Sequence, residues 1–374
     1  MSKVNINEDN SLPLEEIADT IMNLGDEITY IVLGHMGSGK STLLKMLAKM
    51  LPNHIPVLFD CTTKDMGDLL IPNLMEVSST GVVKFAPNSE LGLQHNKPII
   101  LLIDEIGKAL PPVQRALNAV SLERKIAEWK LPVGADGTKS IVFATTNLGA
   151  EGVGDLMLAH SRNRYTTIRS RKPTNREWLE NFGIPNNLDA YVLGWCNDMP
   201  ELFQSFEDVP NPDDNLFIYH PAALDRDGVV TQRSIEKAAL IMAKRHLISD
   251  AALKASLIGT MGLPAANSLI SFMNMGKDLP TTEDIKRDPY HATVPSIAAQ
   301  VMITYRTLTQ IERDWVDEWF VYMQRLPVPM QSLFMQTVVK ESYPKTSYLT
   351  GNAFFAEWCK AHNYAFTADK KKGV

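Results

Sequence analysis

"GHMGSGKST", residues 34–42, lies directly behind the apolar run "ITYIVL" (28–33) and opens into "TLLKMLAKML" (42–51). It fits G-x-x-x-x-G-K-[ST] with Gly34, Gly39, Lys40 and Ser41. Glycines let a backbone turn so that successive N–H groups converge on phosphate oxygens without Cβ clashes. In that reading Lys40 reaches the β- and γ-phosphates of a nucleotide and the Ser41 hydroxyl ligates Mg²⁺. Gly37, Ser38 and Thr42 complete the candidate binding loop. A glycine-rich turn would match the same letters, so the flanks decide. "ITYIVL" is short, apolar and β-branched, as a buried parallel strand should be. After the loop, Leu43, Leu44, Leu47 and Met50 share one helical face, and the helix N-terminus adds its dipole to an anion site. His35 and Met36 fill variable positions and are assigned no chemistry.

A phosphate loop needs a carboxylate nearby to hold the metal. "KPIILLIDEI" (97–106) supplies an uninterrupted apolar strand ending in Asp104 and Glu105. Unpaired carboxylates are costly inside a protein, but at the carboxyl edge of a parallel sheet, beside Mg²⁺ and water, the pair is sensible. Asp104 is the expected metal residue and Glu105 the residue that polarises the attacking water. A third buried strand, "SIVFATTNL" (140–148), ends in Thr145, Thr146 and Asn147. Asn147 is neutral and can orient water without competing for the metal. With "VLFDCTT" (57–63) and "RYTTIRS" (164–170), the first part predicts a parallel α/β sheet with helices on both faces.

At 374 residues the chain is too long for one ordinary core. A net charge of −6 gives no global pull toward nucleic acid, although a local basic surface remains open. Cys61, Cys196 and Cys359 lie far apart, with neither metal-ligand nor disulfide-framework spacing, which suits a reducing compartment. "MSKVNINEDN" has no apolar core and is not a signal peptide. No apolar stretch reaches membrane-spanning length. The expected location is cytoplasmic, with no membrane partner.

The phosphate loop, the "DE" strand end, the Asn-tipped strand and "SRNRYTTI" (161–168) together resemble the AAA+ ATPases. "FAPNSELG" (85–92), "PPVQRALNAV" (111–120) and above all "GTMGLPAANSLISFMNMGKDLPTTEDIKRDP" (259–289) are similar to the MoxR-type branch and its dynein- and midasin-related kin. The resemblance spans roughly residues 12–290. It implies Mg²⁺-dependent ATP hydrolysis by a homo-oligomer, a hexameric ring. It also implies an arginine finger acting in a neighbour's site and a second arginine reaching the phosphates from a helical lid. Arg164 in "NRY" is the finger on that basis, with Arg162 the other candidate, because "NRY" stands where the MoxR pattern carries "DRF". Arg233 in "TQRSIEKAA" is the lid arginine. An arginine snorkelling over apolar neighbours is the plain alternative for each.

Two stretches read as hairpin insertions. "LMEVSSTGVVKFAP" (74–87) has strand-like arms around Ser78 to Gly81, and "IAEWKLPVGADGTKSIVF" (126–143) has Asp136–Gly137 as a turn signal. The resemblance places such hairpins in the channel of a ring; each is otherwise a surface hairpin. From Pro173 the pattern becomes helical, interrupted by the Pro-, Asp- and Asn-rich loop 207–228. The expected domains are an AAA+ α/β domain (1–172), an all-α lid (173–288) and a helical C-terminal extension (289–374). The leading reading couples ATP hydrolysis to remodelling of a protein client, in this family often one with a von Willebrand factor A domain. A DNA- or RNA-handling motor is the alternative, supported by the basic cluster Arg162, Arg164, Arg169, Arg171, Lys172 and Arg176. A slowly hydrolysing scaffold is a third.

Overall fold

The computed structural model describes residues 10–74, 81–149, 163–276 and 279–362. Two compact units result, Met1–Lys172 and Pro173–Val374. Among the described residues the first holds ten strands: β1 (Ser11–Leu12), β2 (Tyr30–Gly34), β3 (Ile55–Asp60), β4 (Leu70–Pro72), β5 (Phe85–Pro87), β6 (Ile99–Asp104), β7 (Lys125–Ile126), β8 (Trp129–Lys130), β9 (Ile141–Asn147) and β10 (Thr166–Ser170). Six of them form one sheet in the order β1-β10-β2-β9-β6-β3. Every pairing in it is parallel.

Its central strands, β2, β6 and the first half of β9, are apolar and buried because both faces are covered there. Helices α1 (Leu14–Leu24) and α2 (Thr42–Met50) cover one face. There Ile17, Ile21, Leu43 and Leu47 meet Tyr30, Val32, Ile100, Leu102 and Phe143. Helix α3 (Pro111–Glu123) covers the other, where Val113, Leu117 and Val120 meet Ile31, Phe59, Leu101, Ile103 and Val142. Alternate residues of β6 thus enter opposite cores, the period of two that a strand imposes. The parallel sheet with helices on both faces is as expected.

The hairpins differ from their sequence reading. The first pairs Leu70 with Pro87, Ile71 with Ala86 and Pro72 with Phe85, so its first arm precedes Leu74, the expected start. Ser78, Ser79 and Thr80, expected at its turn, lie outside the described residues. The second stretch contains two turns. One joins β7 to β8, with Ala127 in the left-handed region (φ 50°). The other surrounds Asp136–Gly137, with Gly137 at φ 87° and one bridge between Val133 and Lys139.

The second unit is helical from Asn175 to Ala361, as expected. Residues on both sides of position 288 enter one core: Trp195, Met242, Leu257 and Phe272 cluster with Met302, Tyr305, Trp319 and Phe334. The loop 207–228 is ordered by Arg226, whose Nη1 donates to the carbonyls of Asn215 (3.0 Å) and Ile218 (2.6 Å). Among the described residues no helix is long and apolar enough to cross a membrane.

Candidate functional site

The carboxyl ends of β2, β6 and β9 converge, and register fixes which residues meet. Gly34 pairs with Asn147 across β2 and β9, and Asp60 with Asp104 across β3 and β6. Behind β2 the loop turns through Gly37 (φ 64°) and Gly39 (φ 88°), conformations that favour glycine. Gly34 is constrained differently. A Cβ there would lie 2.0 Å from Ser170 Oγ, so close approach of β10 demands the missing side chain. Ser38 is buried, and its Oγ donates to the His35 carbonyl (2.7 Å), which closes the turn.

Lys40 is 7% exposed and curls back into the loop. Its Nζ donates to the carbonyls of Gly34 (2.9 Å) and His35 (2.8 Å) and to Asn147 Oδ1 (2.8 Å). Those three acceptors offset the loss of water around a buried ammonium. Asn147 turns its other end to Glu105: Nδ2 donates to Oε1 (3.0 Å) and Oε2 (2.9 Å). Glu105 itself occupies the left-handed region (φ 55°), an uncommon conformation for a residue with a side chain. Backbone strain of this sort gathers at functional sites, and here it turns the carboxylate toward Asn147.

Ser41 Oγ donates to Asp104 Oδ2 (3.0 Å). The other oxygen of Asp104 accepts from Thr145 Oγ1. One hydroxyl beside one carboxylate is a hard-oxygen donor set, which fits Mg²⁺, an ion that keeps several of its waters. The adjoining Cys61 thiol is pushed up to about 12, by burial first and then by Asp60, Asp104 and Glu105. It is therefore a thiol, not a nucleophile, at neutral pH.

Gly34, Gly37, Ser38, Gly39, Lys40, Ser41, Thr42, Asp104, Glu105 and Asn147 are thus brought to one sheet edge. Two residues with contacts there had no assigned role in the sequence reading. Thr145 holds Asp104, and Lys108 pairs with Glu105 (3.0 Å). The spacing of Lys108, three after the glutamate, was the available signal.

Arg164 is exposed, just ahead of β10. Its neighbour Tyr165 is buried, with its hydroxyl 2.9 Å from Ser121 Oγ. Arg162 lies outside the described residues. Arg233 is exposed on the first turn of the helix Gln232–Ala243 in the second unit, beside a capping box formed by Thr231 and Ser234.

No protein-family model matches the chain, and no curated protein matches it. Among solved structures, the chain is similar to a point mutant of RuvB from Thermotoga maritima. The two share 15% identity over 73% of this chain and 77% of that one, with a TM-score of 0.34. A likeness so remote adds nothing to what the strand order and the loop already establish.

Proposed function

We propose that this chain is a Mg²⁺-dependent ATPase of the AAA+ type, on the MoxR-like branch, that assembles into a hexameric ring and remodels a protein client. The observation that carries the ATPase reading is the continuous link from Lys40 through Asn147 to Glu105, beside the Ser41–Asp104 pair. A glycine-rich turn of no function has no reason to bury a lysine against the residue that holds a strained glutamate.

The loop amides from Gly34 to Thr42 bind the phosphates, and Lys40 exchanges its carbonyl and amide acceptors for β- and γ-phosphate oxygens. Ser41 would hold Mg²⁺ and Asp104 would support it, and the ion would supply Lewis-acid withdrawal of charge from the phosphate oxygens. Asn147 and Glu105 orient a water in line with the γ-phosphorus. The water oxygen forms the new P–O bond and Glu105 takes its proton. The bond from the γ-phosphorus to the bridging oxygen breaks, and ADP and inorganic phosphate leave. Arg164, or Arg162 in its place, serves a neighbouring copy, and Arg233 contributes from the helical unit. A client with a von Willebrand factor A domain fits the MoxR-like reading.

The test measures ATP turnover and nucleotide affinity for the wild type and Lys40→Ala, with and without single-stranded DNA at two salt concentrations. We expect hydrolysis by the wild type, loss of tight ATP binding in Lys40→Ala, and indifference to DNA. Undiminished ATP affinity in Lys40→Ala would sink the cradle reading. Stimulation by DNA that fades steeply with salt would replace the protein client with a nucleic-acid track.

A further inference from the structure

We propose that Lys108 is a positioning residue that selects which oxygen of Glu105 meets the attacking water; this rests on the ATPase reading above. After β6 the left-handed turn at Glu105 leads into a short 3₁₀ turn, Ile106–Lys108, closed by the Lys108 N–H donating to the Glu105 carbonyl (2.9 Å). That turn brings the Lys108 ammonium back over its own carboxylate, 3.0 Å from Oε2.

The contacts to the two oxygens are unequal. Asn147 Nδ2 reaches Oε1 at 3.0 Å and Oε2 at 2.9 Å and so barely distinguishes them. Lys108 adds a second donor at Oε2. Oε1 is left with one donor among the described residues and is the oxygen with lone-pair capacity for a proton from water. The terminal torsion of a glutamate is broad and two-fold, so the backbone alone does not hold this choice. Lys108 holds it from outside the phosphate loop, with its side chain 43% exposed and that of Glu105 23% exposed. An ion pair so open to solvent adds little to folding stability. Its loss should therefore be read in turnover, not in unfolding.

The experiment is single-turnover ATP hydrolysis by rapid quench, with affinity for a non-hydrolysable ATP analogue measured alongside. The proteins are the wild type, Lys108→Met, Lys108→Arg, Glu105→Gln and the Lys108→Met/Glu105→Gln double variant. Lys108→Met should lower the hydrolysis rate about tenfold with analogue affinity held, the pattern of lost transition-state positioning. Lys108→Arg should recover most of that rate, because it restores a cation to the same oxygen. In the Glu105→Gln background Lys108→Met should cost nothing further, since its effect passes through the carboxylate. A full-speed Lys108→Met protein overturns the proposal, and so does a tenfold loss repeated on top of Glu105→Gln. A wild-type chain that does not hydrolyse ATP overturns the ATPase reading with it. A wild type that turns over beside an equally fast Lys108→Met removes the role of Lys108 alone.

Discussion

Gly34 ends β2 against Ser170, a fully buried residue whose Oγ donates to the Leu33 carbonyl (3.1 Å). A methyl at position 34 would meet that hydroxyl at 2.0 Å and Lys40 Cδ at 3.3 Å. Gly34→Ala should therefore destabilise the first unit by about 1–3 kcal/mol, the usual scale of overpacking. Ser170→Ala removes the clashing oxygen, so the double variant should recover most of the lost denaturant midpoint. Equal midpoints for Gly34→Ala and the wild type would show that β10 yields freely. This constraint is invisible in sequence, because position 34 reads as a loop glycine and its real neighbour lies on β10. Lys40, Asp104 and Glu105 were legible for the opposite reason: their chemistry is local to a strand end and its loop. Nothing in the sequence assigns Thr145 a role. Its hydroxyl meets Asp104 only because β6 and β9 pair Ile103 with Ala144, which sets the next residues side by side.

Among the elements, long apolar runs announced β2, β6 and β9, and the stretch 74–87 announced β5, while the short arm β4 hid. β4 contributes three residues, ahead of the expected arm, and too few to show an alternation of their own. The end of α3 was equally silent. Arg124 caps it in the left-handed region (φ 54°) and reaches across to the segment that leads into β2. Its Nε donates to the Asp26 carbonyl (3.2 Å) and Nη2 to that of Gly25 (3.1 Å). Nη1 donates to Thr29 Oγ1 (2.5 Å) and the Ser121 carbonyl (2.9 Å). Burial holds the guanidinium below its usual range, yet each of its nitrogens has an acceptor. Arg124→Met keeps the aliphatic stem and strips every one of those bonds. It should cost about 2–4 kcal/mol, because partners of a charged donor are left without one. Urea unfolding should show a lower midpoint with an unchanged slope. A midpoint equal to wild type would mean water replaces the guanidinium without loss.

For the whole molecule, the alternation of apolar strands and helices revealed the α/β unit, and the shift to helical spacing after Pro173 revealed the helical one. The common core on either side of position 288 was not legible, since helical spacing names a buried face but not what it is buried against. Assembly is where the family resemblance makes its sharpest claim. Arg164 precedes β10, whose first residue, Thr166, is in register with Tyr30, the first residue of β2. The phosphate loop opens beyond Gly34, the last residue of β2. Four strand steps separate those ends, about 13 Å at ~3.3 Å per residue. The loop and Arg164 therefore occupy opposite edges of one sheet, which favours action on a neighbouring copy over action on its own nucleotide. A trans arginine can be worth about 10³–10⁵ in rate. Arg164→Ala should nearly abolish hydrolysis while leaving ATP affinity in place. Lys40→Ala should be inactive for want of nucleotide, yet it still carries Arg164. Mixing the two should restore turnover, because some interfaces then join an intact loop to an intact arginine. That restored rate should fall on dilution as the assembly dissociates. Mixed assemblies that stay dead, or an active Arg164→Ala protein, would count against Arg164, and the same mixing with Arg162→Ala would follow. Failure of both arginines would leave a phosphate-loop ATPase whose site is complete within one chain.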